Sequence, residues 1–109
     1  MYATIRRYAI LNIEANPTAK TQLFEMIQQD FLPRLAEVAG FDGYFVLDTG
    51  PKEIATITLF ETREGIEEST RLAAEAVARY THLARVGPPE VTTGSVVMHR
   101  ESSRLVGAR

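Results

Sequence analysis

The side chains of this 109-residue sequence from which chemistry could be built are two adjacent arginines, Arg6 and Arg7, the tyrosines Tyr8, Tyr44 and Tyr80, and the histidines His82 and His99. Arginine offers a fixed fork of donors suited to a carboxylate or an enolate, and a tyrosine hydroxyl can serve a phenolic oxygen as donor or acceptor. Neighbouring residues on a strand point to opposite faces, so one of the two arginines is directed inward, where a guanidinium has to be paired. An ion pair with a carboxylate such as Glu61 or Asp42 is the expected structural partner. The functional alternative is an anionic group on a ligand. Neither histidine has a carboxylate or second histidine at metal-ligand spacing, HExxH is absent, and there is no cysteine, so no metal and no cofactor are expected. Tyr80, Arg6 and Arg7 are the catalytic candidates.

The elements that must position these groups are organised around residues 40 to 62, GFDGYFVLDTGPKEIATITLFET. Gly40 is suited to end a helix, Gly50-Pro51 separates two β-rich runs, and Thr62 is suited to cap the helix that follows. Alternation sorts Phe41, Phe45 and Leu47 to one side of the first run and Tyr44 and Val46 to the other. The second run divides into Ile54 and Phe60 against Ile57 and Leu59. Both faces are apolar, whereas an antiparallel sheet wetted on one face shows polar residues there. Two helices cover one face, and a second copy of the chain is the expected cover for the other.

Around this hairpin, Ala3 to Glu14 reads as a strand, and Asn16-Pro17 as the cap and first position of a helix. That helix carries Leu23, Phe24, Ile27, Phe31, Leu35 and Val38 on one stripe, and Pro33 is expected to bend or break it between Gln29 and Arg34. A second helix is expected over Arg63 to Arg85, with Ile66, Ala73, Ala76, Val77, Tyr80 and Leu83 inward. Its Glu64, Glu75 and His82 fall on the solvated face. Glu90 to His99 reads as the last strand and residues 100–109 as a frayed tail, leaving one domain over 1–99. The order strand-helix-strand, strand-helix-strand predicts an α+β, ferredoxin-like βαββαβ domain with a four-stranded antiparallel sheet.

Composition narrows the partners. A net charge of -2 gives no field for steering nucleic acid or anionic lipid, and residues 53–59 lack the aromatic and basic side chains on which RNA-binding sheets stack bases. No nucleic-acid partner and no membrane are expected. The apolar run near the N-terminus is short for a signal peptide, no segment is long enough to span a bilayer, and the absence of cysteine suggests no oxidising compartment, so the expected location is cytoplasmic.

The opening ATIRRY, the GF-x-GY-F-V-L-D-x-G of the hairpin, Phe60-Glu61-Thr62-Arg63-Glu64-Gly65 and the closing Pro89-Glu90-Val91-x-x-Gly94 together resemble the dimeric α+β barrel superfamily. More narrowly, residues 1–99 resemble uncharacterised proteins near the antibiotic-biosynthesis monooxygenases. The resemblance implies a homodimer in which two four-stranded sheets close into a barrel, an interface of roughly 1,500 Å² or more being expected of such a pair. It also implies a cofactor-independent monooxygenase-like activity on a small phenolic or enolisable molecule, with a non-catalytic ligand-binding or sensing dimer as the alternative. The chain departs from the pattern in having Phe60 and Ser69 where many of those enzymes carry tryptophan and histidine, and Ala76 where a large aromatic is common. It has Asn12 and His82 but no tryptophan, the third residue that haem-degrading relatives use.

These departures cluster on one helix face. Ser69, Ala73 and Ala76 are small residues on the inward stripe, and Tyr80 follows one turn on. Close packing of helix on sheet is one consequence. The other is a ligand pocket lined by Ser69, Ala73, Ala76 and Tyr80, expected to reach roughly 300 Å³ if it is to hold a ligand.

Overall fold

The computed structural model describes residues 1–101. Strand β1 (Tyr2–Ala9) is followed by helix α1 (Ala19–Met26), a π-helical turn (Ile27–Phe31), helix α2 (Leu32–Ala36), strands β2 (Phe41–Gly50) and β3 (Glu53–Phe60), helix α3 (Arg63–Arg79) and strand β4 (Glu90–Ser95). The strands lie in the order β2-β3-β1-β4 with every pairing antiparallel. This is the ferredoxin-like α+β arrangement. The tail expected over 100–109 falls, beyond Glu101, outside the described residues.

Three elements end earlier than their β or helical patterns suggest, each for want of a partner. β1 stops at Ala9, opposite Glu53 at the start of β3; Ile10 then donates to Lys52 and Leu11 to Arg85, and the chain turns away. α3 ends at Arg79, because Tyr80 leaves helical geometry and the amides of Leu83 and Ala84 both close back on its carbonyl. Side chains of Asn12 and Asn16 then cap the Leu83 carbonyl at 3.3 and 3.0 Å, so this turn belongs to packing against the loop after β1. β4 stops at Ser95, which faces Tyr2, and after Val96 donates to Met1 there is no strand left to pair.

At the helix ends the local chemistry is visible. Gly40 takes φ +83 and turns the chain from α2 into β2, a conformation that a Cβ would strain. Thr62 accepts from the Gly65 amide at 3.1 Å as the N-cap of α3. The helix starts two residues later than Asn16-Pro17 suggests: Asn16 Oδ1 takes the amide and hydroxyl of Thr18 in a turn, Thr18 is the N-cap, and α1 begins at Ala19. Pro33 leaves the helical segment continuous. The irregularity is a π turn immediately before it, in which the Leu32 amide reaches back to the Ile27 carbonyl, and Phe31 and Leu35 both remain buried.

Thr4, Arg6 and Tyr8 of β1, Ile10 just after it, and Ile54, Thr56, Thr58 and Phe60 of β3 lie under the helices, and all are buried. One assignment of the alternation is corrected. The register between β2 and β3 slips at Asp42, so Phe41 opposes Phe60 and packs edge-on against it at 5.7 Å between ring centroids, on the helix side rather than with Phe45 and Leu47. On the far side Phe45, Ile57 and Ile5 align across three strands. Phe45 is 55% exposed and Ile5 and Leu47 are exposed too, so the apolar far face has no cover within one chain.

Phe60 also fixes how closely α3 approaches. A Cβ at Gly65 would lie 2.3 Å from the Phe60 ring and 3.1 Å from its Cβ, which the ring cannot relieve by rotating alone. Alanine in a helix ordinarily gains stability over glycine; here overpacking wins, and Gly65→Ala is expected to cost about 1–3 kcal/mol in denaturant unfolding. A neutral or stabilising result would show that α3 does not sit on Phe60.

Candidate functional site

Arg6 points under α3 and is 2% exposed. Its partners correct the expected ion pair, since all are hydroxyls. Nη1 donates to Thr58 Oγ1 at 3.4 Å, and Nη2 to Ser69 Oγ at 3.0 Å and Thr70 Oγ1 at 2.8 Å. Those two hydroxyls donate in turn to the Ile66 carbonyl, at 2.6 and 3.1 Å, which leaves their lone pairs for the guanidinium. Burial pulls the Arg6 pKa below its ordinary value, partly offset by Tyr8 and Tyr44 nearby. Arg7 points the other way, half-exposed on the uncovered face beside Glu53 at 3.5 Å.

Ala73, Ala76 and Tyr80 do meet, at a cavity between α3, the π turn and the sheet, but at about 50 Å³ it falls well short of the roughly 300 Å³ expected of a ligand pocket. Its wall is apolar, with Leu23, Ile27, Phe31, Ile54 and Val77, and its polar residues are Arg6, Tyr8, Tyr44, Thr56 and Tyr80. Ser69 lines no part of it and is occupied by Arg6. A wider cleft of about 350 Å³ lies on the other side of Arg6 and Tyr8, between α3 and residues 86–91. Both spaces share Arg6, Tyr8, Ala73, Val77 and Val86 as wall, and neither is lined by a carboxylate. A third groove, about 370 Å³, runs between α1 and β2 past Asp48.

Burial raises the pKa of Tyr8 and, more strongly, of Tyr44, so both stay protonated donors. Tyr80 is different, because its hydroxyl donates to Asp30 Oδ2. Asp30 sits inside the π turn and also receives Arg34 Nε at 2.9 Å and Arg79 Nη2 at 2.8 Å. The hydrogen bonds from Tyr80 and Arg79 lead in holding its carboxyl down, from 3.8 to about 2. Asp30 was not among the residues singled out by motif or spacing. Only its position one turn before Arg34, on the helix that faces Tyr80, could have marked it. His82 is exposed, its Nδ1 beside the Arg79 carbonyl, and His99 lies in the extended segment after β4. No cluster of metal ligands occurs among the described residues.

With this geometry in hand, likeness to known proteins is informative. No family model matches the sequence, and neither does any curated protein. Solved structures do match. A protein of unknown function from Nitrosomonas europaea, NE2512, superposes with a TM-score of 0.70 at 17% identity over 94% of this chain and 95% of its own. A monooxygenase from the gene ActVA-Orf6 of Streptomyces coelicolor, solved with Nanaomycin D, gives 0.70 at 14% identity over 94% and 92%. A dimeric ferredoxin-like protein from an uncultured marine organism gives 0.67 at 11% identity over 94% and 100%. The chain shares the ferredoxin-like α+β fold of these proteins. At these identities the likeness is one of fold.

The Asp30 hub yields a pH prediction. A carboxyl whose folded pKa is depressed contributes stability that is present above its unfolded pKa and is lost as pH falls through the folded one. Asp30→Asn should therefore melt below the parent at neutral pH, with the gap narrowing between about pH 4 and pH 2 and closing below that. Melts of both proteins from pH 7 to pH 2 check this, and a gap independent of pH would contradict it.

Proposed function

We propose that this protein is a homodimeric, cofactor-independent monooxygenase-like enzyme whose small phenolic or enolisable substrate binds between α3 and the sheet. The observation that carries this reading is the convergence of Arg6, Tyr8, Tyr44 and Tyr80 on one apolar cavity. The monooxygenase that shares the fold supports it. The cavity of about 50 Å³ is too small for such a molecule by itself, so this reading requires it to open into the adjoining cleft of about 350 Å³ at the five side chains both share.

Each polar group has a role in this reading. Tyr80 presents lone pairs to the substrate hydroxyl and takes its proton as the phenolate forms, passing its own proton along the existing hydrogen bond to the Asp30 carboxylate, so that Tyr80 stays neutral and Asp30 ends as the acid. Arg6 is the cation beside the developing oxyanion, and Tyr8 and Tyr44 are hydrogen-bond donors to it. The apolar wall excludes water while the electron-rich ring reduces dioxygen. The stoichiometry closes without a further reductant: a phenol with a free ring position plus O₂ gives a quinone plus water. One oxygen atom joins the ring carbon as its C–H bond breaks, and the other leaves with that hydrogen and the phenolic one.

Incubation with 1-naphthol under ¹⁸O₂ tests the chemistry. The expected product is a naphthoquinone carrying one ¹⁸O atom, and Tyr80→Phe should slow its formation by about 10²–10⁴-fold. Consumption no faster than in protein-free buffer, across a panel of naphthols and enolisable diketones, would reject the enzyme reading.

The dimer rests on the apolar face left open by one chain, where Phe45, Ile57 and Ile5 align. A second copy seated there would bury roughly 1,500 Å² or more in total. Light scattering at micromolar concentration should give twice the chain mass, and a monomer would overturn the assignment. Phe45→Asp should yield unfolded or aggregated protein, because folding and pairing are coupled in obligate dimers.

A further inference from the structure

Arg6 is charged, buried and compensated by neutral groups only. Three of its five N–H donors go to hydroxyl oxygens, and the Nε–H and second Nη1–H have no acceptor among the described residues. Every side-chain polar atom sealed from solvent does have a partner there, so the partnerless Arg6 Nε is not sealed, and Arg6 lines both the cavity and the cleft beside it. That space holds no negative charge. Neither the cavity nor the cleft beside it is lined by Asp or Glu, and Asp30, which holds the Tyr80 hydroxyl, also serves Arg34 and Arg79. An interior guanidinium without a counter-charge is costly, and an anion arriving at it gains a charge-assisted hydrogen bond in a dry setting.

The shape of the space selects the anion. A single guanidinium with two donors left balances one negative charge, which suits a carboxylate better than a phosphate dianion. The cleft that reaches Arg6 from outside is about 350 Å³, enough for a small ring system, and its walls at Val77, Val86, Pro88, Pro89 and Val91 are apolar. A small aromatic acid satisfies both ends.

We propose that the cleft between α3 and residues 86–91 is an acid-binding subsite, in which Arg6 takes the carboxylate of a small aromatic ligand whose ring lies against Val77 and the proline pair. This deepens the ligand-site reading above and rests on it. The substrate class becomes hydroxylated aromatic acids, with the carboxylate held at Arg6, the phenolic oxygen left to the Tyr8 and Tyr44 donors, and the ring carried from the cleft toward Tyr80.

The test uses 1-hydroxy-2-naphthoate, its methyl ester and 1-naphthol, followed by fluorescence titration of the intact protein at pH 7.5. The acid should bind roughly tenfold or more tightly than the ester, as a charge-assisted bond implies, and Arg6→Gln should abolish that preference. Equal binding of acid and ester, or a preference that survives Arg6→Gln, overturns the subsite while leaving the ligand site standing. Binding of none of the three overturns both. Should Arg6→Gln not fold, the parent protein decides: the Arg6 Nε–H resonance, assigned by its absence in Arg6→Lys, should move with the acid and stay put with the ester. A resonance unmoved by the acid also overturns the proposal.

Discussion

Arg6 is buried between α3 and the sheet with hydroxyls for company, and the rest of the interior depends on that arrangement. Its donors reach Thr58 on β3 and Ser69 and Thr70 on α3, so one side chain ties the helix to two central strands. Because Ser69 and Thr70 send their protons to the Ile66 carbonyl, they act as acceptors without losing the helix a hydrogen bond. The guanidinium fills the space between α3 and the sheet where it passes. Toward the N-terminus of α3, Gly65 lies directly on Phe60. The helix therefore closes on the sheet at one end and stands over a cavity at the other, where Ala73, Ala76 and Tyr80 look down on Tyr8 and Tyr44.

The π turn is the second device that shapes this space. Insertion of a wide turn over Ile27–Phe31 ahead of Pro33 keeps Ile27, Phe31 and Leu35 all facing the core although proline cannot donate to the preceding turn. It also swings Asp30 toward α3, where Arg79 and Tyr80 meet it. The Tyr80 hydroxyl is thus fixed by a residue on another helix, and the tyrosine enters the cavity wall as a polarised acceptor. A proline that looks like a defect in the helix pattern is in this way connected to the polar edge of the cavity.

Charge is distributed unevenly over the fold. Several exposed arginines are paired with carboxylates close by, as Arg71 is with Glu68 and Glu75 along α3 and Arg79 with Asp30, and such pairs contribute little on their own. Among the described residues the one buried arginine, Arg6, is paired with none. The sheet is uneven in the same sense: its inner face mixes apolar side chains with Arg6, Thr4, Thr56 and Thr58, whereas its outer face presents Phe45, Ile57 and Ile5 to solvent in a single chain. Polar groups are inside, where a ligand could use them, and apolar groups are outside, where a second chain could.

The fold was legible because its signals are local. Two-residue alternation identified the strands and their two faces, the 3.6-residue stripe identified the helices, and Gly40 and Thr62 marked boundaries through their own backbone and capping chemistry. What the sequence could not decide were matters of partnership. β1, α3 and β4 end where neighbouring strands and loops stop offering hydrogen bonds, and the slip at Asp42 that turns Phe41 inward is a property of two strands together. The site divides along the same line. Adjacent arginines on a strand implied that one lies inside, and the small residues of α3 implied space beneath it; both follow from residue type and period. Which arginine, whether a carboxylate or three hydroxyls would meet it, and that Asp30 would bind Tyr80 across 50 residues were set by tertiary packing, because burial and long-range hydrogen bonds depend on distances that no local pattern encodes.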